Sequence, residues 1–287
     1  MEAKSLFEYD KSRPFEAEEW VLGEMDGLTW YRFNIKSEAG RVVPGAIIRS
    51  PSASTPQPLV MLQHGAGTSK FASFVLAAVD VLVNNGYTCM AVDAIGHGER
   101  PEVSGGNADL EEDEAMRRRF SSEYIVGNVV DFSRALDYVT AKDYIDPERI
   151  GYIGSSMGGM LGGLFCAVDE RVKAVVLRCS GSRLAARRWE NLDNKELAAE
   201  MRQTAEKYDP AAFVGFISPR PLLMLNNSDD DVISREAVEL LYNASNDPKE
   251  LRWFPGGHRD NREVHSVESW LFFESFIGAS SAVTASS

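Results

Sequence analysis

Between residues 149 and 163 an apolar run ends abruptly at a serine flanked by glycines, and few local patterns restrict a fold so strongly. The run Ile150 to Ile153 has β character, stops at Gly154-Ser155-Ser156-Met157-Gly158, and passes at once into a helical stretch of small residues. This is the strand-turn-helix form of a G-x-S-x-G elbow, with Ser156 at its apex. Glycine is needed at 154 and 158 because so sharp a turn brings strand and helix backbones together, and a Cβ on either flank would collide. The central residue is strained for the same reason. Ser156 is therefore the candidate nucleophile, and the rest of the chain has to supply a buried strand, a helix and chemical partners around it.

The surrounding sequence has the required texture. From Glu18 to Ile48, short β-type segments around Trp20-Val21-Leu22, Thr29 to Ile35 and Val42 to Ile48 are separated by turn residues, which predicts an antiparallel meander. A loop follows at residues 51–58, where three prolines withdraw backbone donors. Beyond it, continuous apolar runs (Leu59 to Leu62, Tyr87 to Val92, Ile150 to Ile153, Val172 to Leu177, Pro221 to Leu225, Leu251 to Phe254) are interleaved with stretches of helical spacing, the last being Val264 to Ile277. Apolar runs of this kind are strands buried on both faces, and their alternation with helices predicts a doubly wound, mostly parallel α/β sheet. The expected organisation is N-terminal antiparallel strands over 1–57, an α/β core over 58–278 and a flexible tail over 279–287. Two stretches interrupt the alternation, at about 99–123 and 182–208. In the first, Asp113/Arg117 and Glu114/Arg118 are i,i+4 pairs on a solvated helix face. The second predicts a helical stretch from Arg183 to Tyr208, with Leu184, Trp189, Leu197 and Met201 on its apolar side. Both adjoin the C-terminal ends of sheet strands, where open α/β sheets bind ligands, so both are candidate lids.

Charge and cysteine content narrow the class. A net charge of −13 argues against nucleic acid or an anionic membrane as partner, since both reward clustered Lys and Arg. Cys89, Cys166 and Cys179 lie inside apolar runs and are expected to be buried free thiols, which suits a reducing cytoplasm. No N-terminal apolar segment of signal-peptide type and no apolar run of about 18 residues is present, so neither export nor a membrane span is expected. Oligomeric state is not specified; a homodimer would use exposed apolar positions near Trp20 or Trp270.

A serine hydroxyl needs a base to take its proton and an acid to orient that base. Of the four histidines, His258 closes Trp253-Phe254-Pro255-Gly256-Gly257-His258, a glycine-bearing loop that follows a strand and comes after the serine in the chain. It is the expected base. The acid belongs at a strand end between the two, in the order serine, acid, histidine. The strand Pro221 to Leu225 runs into Asn226-Asn227-Ser228-Asp229-Asp230-Asp231-Val232-Ile233, so one of Asp229, Asp230 and Asp231 is the orienting carboxylate. Negative charge on a tetrahedral intermediate calls for two preorganised N–H groups. Met157, first residue of the elbow helix, supplies one, and Ala66 in His64-Gly65-Ala66-Gly67 the other. That loop is not a phosphate cradle, because Gly65-Ala66-Gly67-Thr68-Ser69-Lys70 lacks the G-x-x-x-x-G-K-[S/T] pattern. No histidine pair has metal-ligand spacing, so neither metal nor cofactor is expected. Arg117, Arg118, Arg119, Arg183, Arg187 and Arg188 stand out in so acidic a chain; solvated salt bridges are the ordinary reading, and the alternative is that one of them, Arg187 or Arg188, reaches over the pocket to pair with a substrate carboxylate. His64 and His97 are further candidates for substrate contact.

Taken together, His64-Gly65-Ala66-Gly67, Asp93-Ala94-Ile95-Gly96-His97-Gly98, the elbow Gly154 to Gly159, Asp209-Pro210 through Pro219-Arg220-Pro221-Leu222-Leu223, and Pro255-Gly256-Gly257-His258 span roughly residues 58–277. The set resembles the α/β-hydrolases, specifically the dienelactone-hydrolase-like and acetyl-xylan-esterase-like esterases. The resemblance implies the α/β-hydrolase fold and a serine hydrolase that cleaves carboxylic esters through an acyl-enzyme, with Ser156 where dienelactone hydrolases carry cysteine. Amidase, thioesterase, acyltransferase and C–C bond hydrolase chemistry share the scaffold, and a non-catalytic binding protein is the remaining alternative. The family's acid turn, H-G-x-x-D-x-x-V-P, laid on residues 226–234 implies Asp230 as the acid. Here the chain departs from the pattern, with Asn226-Asn227 for His-Gly and Ile233-Ser234 for Val-Pro. By the same resemblance His97 is structural or pocket-lining and lies outside the triad.

Overall fold

The computed structural model describes residues 2–53, 55–100, 117–118, 120–183, 189–190 and 192–278. The strands are β1 (Glu18–Met25), β2 (Leu28–Lys36), β3 (Val42–Arg49), β4 (Gln57–Gln63), β5 (Thr88–Val92), β6 (Ile145–Ser155), β7 (Ala174–Arg178), β8 (Leu222–Asn227) and β9 (Lys249–Phe254). The helices are α1 (Glu2–Ser5), α2 (Ser73–Asn84), α3 (Ser122–Thr140), α4 (Met157–Val168), α5 (Lys195–Lys207), α6 (Arg235–Ala244) and α7 (Arg262–Glu274). The strands form one sheet in the order β1-β2-β3-β5-β4-β6-β7-β8-β9. β1, β2, β3 and β5 pair antiparallel in turn, and every pair from β5–β4 through β8–β9 is parallel. β3 thus sews the N-terminal meander onto the parallel sheet.

Alternation along the central strands explains the layering. Leu59, Met61, Met90, Val92, Val175, Leu177, Leu222 and Met224 point to one side, where α3, α4 and α6 cover them with Phe132, Leu136, Phe165 and Leu241. Val60, Leu62, Cys89, Ala91, Ala174, Val176, Leu223 and Leu225 point to the other, under Val75, Val79 and Leu82 of α2 and Phe272 and Phe273 of α7. Two buried faces are why these strands read as continuous apolar runs. Among the described residues, no helix is long and apolar enough to cross a membrane.

Several boundaries differ from the sequence expectation, each for a local reason. β4 takes in Gln57 and Pro58, and the proline's missing donor is absorbed by a register irregularity between Gln57 and Leu59 against β6. β8 continues through Asn226 and Asn227, because these pair with Trp253 and Phe254 of β9. Of the helical stretch expected over 183–208, the described residues show a helix over Lys195–Lys207, where the Asn194 side chain accepts the Leu197 N–H and caps the first turn. Leu184, Arg187 and Arg188, the pairing residues Asp113 and Glu114, and the 279–287 tail lie outside the described residues. Cys89, Cys166 and Cys179 are buried free thiols.

Candidate active site

β6 ends at Ser155 and α4 begins at Met157, leaving Ser156 between them at φ 54°, ψ −115°. A positive φ on a residue with a side chain costs on the order of 1–3 kcal/mol, and the surroundings have to enforce it. They do so from both sides. The Ser156 N–H donates to Arg178 O on β7 at 2.9 Å, and Ser156 O accepts from Met160 at 3.0 Å. A Cβ on Gly154 would lie 2.3 Å from Gly158 O, and one on Gly158 would lie 2.4 Å from Gln63 O, so only glycine admits this approach. A serine at a helix N-cap ordinarily spends its hydroxyl on the helix; Ser156 makes no such bond. Its Oγ lies 3.0 Å from His258 Nε2.

His258 is carried by the loop after β9, and on its other side Nδ1 lies 2.7 Å from Asp230 Oδ2. A carboxylate only accepts, so Nδ1 carries the proton and Nε2 is left to accept from Ser156. The second Asp230 oxygen accepts the N–H groups of Val232 and Ile233, each at 2.8 Å. Burial alone would raise the Asp230 carboxyl, but the hydrogen bond from His258 and the two backbone donors outweigh it and hold the group below the usual carboxylate range. Its neighbours are placed differently: Asp229 Oδ2 accepts the Gly256 N–H at 3.0 Å, and Asp231 is exposed.

The loop bearing His258 is held by side chains that sequence reasoning missed. Asn227 Nδ2 donates to Gly257 O at 2.7 Å. Asn227 Oδ1 accepts from Asn261 Nδ2 at 2.9 Å, and the same Asn261 nitrogen reaches Pro255 O at 2.7 Å. Asn226 Oδ1 accepts the Ser180 N–H at 3.1 Å, tying in the loop after β7. The only sequence signal was the departure of Asn226-Asn227 from His-Gly, which by itself says nothing of partners 30 residues away.

Beside the serine, Met157 occupies the first position of α4, where a backbone N–H has no partner within the helix. Its sulfur accepts from Tyr124 Oη at 3.0 Å, which fixes the side chain. Gly65 approaches Ser156 so closely that a Cβ there would lie 3.4 Å from Ser156 Cβ, and Ala66 follows it on the exposed rim of the loop. His64 does not have the substrate-facing place expected of it. It is fully buried, Nδ1 lies 2.9 Å from Gly65 O and Nε2 accepts the Ala94 N–H at 3.0 Å, so both ring nitrogens are taken by backbone. Burial pushes it down to about 4, which keeps it neutral. His97 packs on it with ring centroids 5.4 Å apart and places Nδ1 2.9 Å from Ile95 O. Beneath this loop, Lys70 Nζ meets Asp93 Oδ2 at 2.5 Å in a fully buried pair, and a Cβ on Gly98 would lie 2.2 Å from the same carboxylate.

The two insertions touch. Arg117 Nε donates to Glu200 Oε2 at 2.8 Å, over a cavity of about 200 Å3 lined by Phe120, Leu197, Met201 and Thr204 among others. Arg183 is buried, while Arg187 and Arg188 lie outside the described residues, so the structure offers no placement for the proposed substrate-carboxylate contact. As to metal ligands among the described residues, Cys179, Asp230 and His258 bring one ligand atom each to within 4.8 Å of one another.

Comparison with known proteins bears on the scaffold. A putative hydrolase, YtaP, of Bacillus subtilis (strain 168) is 28% identical over 218 residues, covering 68% of this chain and 68% of that protein. The solved acetyl xylan esterase from Paenibacillus sp. R4 is similar with a TM-score of 0.78 at 20% identity, covering 96% of this chain and 92% of that one. Acetyl xylan esterase 1 from Thermoanaerobacterium sp. JW/SL YS485 has a TM-score of 0.77 at 18% identity, covering 95% and 92%. At these identities the structural likeness speaks for the fold alone. Residues 58–218, more than half of the chain, match the family model of the alpha/beta hydrolase fold. With the elbow, the parallel sheet and the strand-end loops in place, the chain belongs to the α/β hydrolase fold family.

Proposed function

We propose that the chain is a serine hydrolase that cleaves carboxylic esters through an acyl-enzyme. The observation that carries this reading is the continuous line from Ser156 Oγ to His258 Nε2 at 3.0 Å and from His258 Nδ1 to Asp230 Oδ2 at 2.7 Å. His258 takes the Ser156 proton as Oγ attacks the ester carbonyl, and Asp230 stabilises the imidazolium that forms. The oxyanion is received by the Met157 N–H, at the positive end of α4, and by the Ala66 N–H. His258 then returns its proton to the leaving alkoxide, and a water activated by the same ring releases the acid. The ester preference, over amide or thioester, is supported by the acetyl xylan esterases among the similar structures, which make short acyl esters the first substrates to offer. Labelling with an active-site phosphonate followed by peptide mapping tests the nucleophile without a known substrate. Modification of Ser156 together with turnover of short p-nitrophenyl esters is the expected result; a label on any other serine sinks the assignment.

A further inference from the structure

Three strand ends converge below the reacting serine. Cys179 follows β7, Asp230 follows β8 and His258 follows β9, and since these strands are neighbours in the sheet their C-terminal loops are stacked side by side. A thiol sulfur, a carboxylate oxygen and an imidazole nitrogen there lie within 4.8 Å of one another. Scanning for ligand spacing along the chain misses such a group, because its members are separated by whole βα units.

We propose that Cys179, Asp230 and His258 form a site for a borderline-soft divalent cation of the zinc type, and that its occupation switches the hydrolase off. Zinc takes S, N and O ligands in a tetrahedron at about 2.3, 2.0 and 2.1 Å, which sets the ligand atoms roughly 3.3–3.6 Å apart. The Nδ1 to Oδ2 separation of 2.7 Å has to open by about 0.6–0.9 Å. The sulfur, within 4.8 Å of the other two ligand atoms, has to close by no more than about 1.5 Å, which side-chain rotation can supply. Water from the cleft completes the tetrahedron. Charge also balances: the Asp230 carboxylate and a Cys179 thiolate together neutralise a dication, as a partly buried site requires. Without a cation Cys179 is a buried free thiol. A bound cation draws the thiol proton off, and one proton leaves to solvent for each cation bound. The imidazole proton moves at the same time from Nδ1 to Nε2. Nε2 then presents a donor to Ser156 Oγ and can no longer take its proton. Hard cations such as magnesium are excluded by the same donor set, since they demand an octahedron of oxygen.

The inhibitory consequence rests on the proposed triad, whereas binding does not, and the experiment separates the two. Zinc uptake is measured by equilibrium dialysis and thiolate ligation by the charge-transfer absorption of cobalt(II), on the full chain and on Cys179→Ala. Ester turnover is followed with zinc, then with added chelator. The expected result is one zinc per chain, a thiolate-to-cobalt band, and turnover that falls with zinc and returns with chelator. In Cys179→Ala the band disappears, zinc binds at least about tenfold more weakly, and zinc no longer lowers the variant's own zinc-free rate. Absence of the band in the unmodified chain, its persistence through Cys89 or Cys166, equal inhibition of the variant, or equal uptake of magnesium would each overturn the proposal. Should Cys179→Ala fail to melt cooperatively, Cys179→Ser replaces it. A chain without ester turnover would sink the triad while dialysis and cobalt still decide the site.

Discussion

The elbow and the histidine loop present the two ends of one hydrogen bond, Ser156 Oγ to His258 Nε2, and they are built by opposite means. The elbow is held by contact. Gly154 and Gly158 let backbones approach to distances that no Cβ survives, and the strained serine has nowhere else to go. The histidine loop is held by polar side chains, with Asn227, Asp229, Asp260 and Asn261 each binding a backbone group between Pro255 and Gly257. Contact enforces geometry through an energy wall; hydrogen bonds enforce it through a net contribution of about 1 kcal/mol each. The first kind of device fails outright when altered, and the second yields by degrees.

Four measurements break or sharpen this contrast, beginning with the largest effect. Asp230→Asn should lower kcat on a short ester by about 10^4-fold, because the amide cannot hold the Nδ1–H tautomer, whereas Asp231→Asn should leave kcat within about twofold. Similar losses in both would remove Asp230 from its place. Gly158→Ala tests the wall: a Cβ 2.4 Å from Gln63 O cannot be absorbed by a backbone carbonyl, and a loss of about 3 kcal/mol or more in urea unfolding is expected. A stable, active alanine variant would show that the elbow can relax.

Acid stability compares the layers beneath the two regions, since His64 underlies the glycine loop at 65–67 and His265 lies in the first turns of α7. Burial holds them down to about 4 and about 3. Unfolded histidines titrate near 6.5, so below that pH the unfolded chain binds more protons than the native one. Stability is full above about pH 6.5 and falls as the pH drops towards the folded values, by about 1.4 kcal/mol per pH unit for each histidine. Urea midpoints at pH 7, 6 and 5 check this, and a flat profile contradicts it. The smallest effect belongs to the loop. Asn227→Gly, which restores the residue of the resembled acid turn, should lower kcat roughly tenfold with KM little changed, through loss of about 1–2 kcal/mol of positioning. Asn227→Asp should recover less than half of that, since a carboxylate cannot donate to Gly257 O. A tenfold change in KM at constant kcat would mean that Asn227 acts on binding instead.

The same contrast explains what was legible in the sequence. Steric devices are local: glycine at 154 and 158 announces the elbow within five residues, and the strand runs around it announce the sheet because both faces are buried. The order of serine, aspartate and histidine followed from the strands they terminate. What sequence could not show depends on side chains reaching across the sheet. Asn226 and Asn227 looked like turn residues, yet β9 pairs with them and extends the strand. His64 looked accessible beside a glycine loop, but the backbone of the next strand end claims its ring through Ala94. Lys70 carried no signal, because its partner Asp93 lies beyond an intervening helix.

The ion pair between Arg117 and Glu200 has a consequence for building chimeras. It joins a segment upstream of the elbow to one downstream of it, so the contact between the insertions is a seam between two stretches of chain rather than a single graftable loop. Replacing one insertion with that of a relative leaves the other half of the seam facing a surface it was not shaped for. Transplanting this region therefore calls for exchanging both insertions together, with residues 117 and 200 carried as a matched pair.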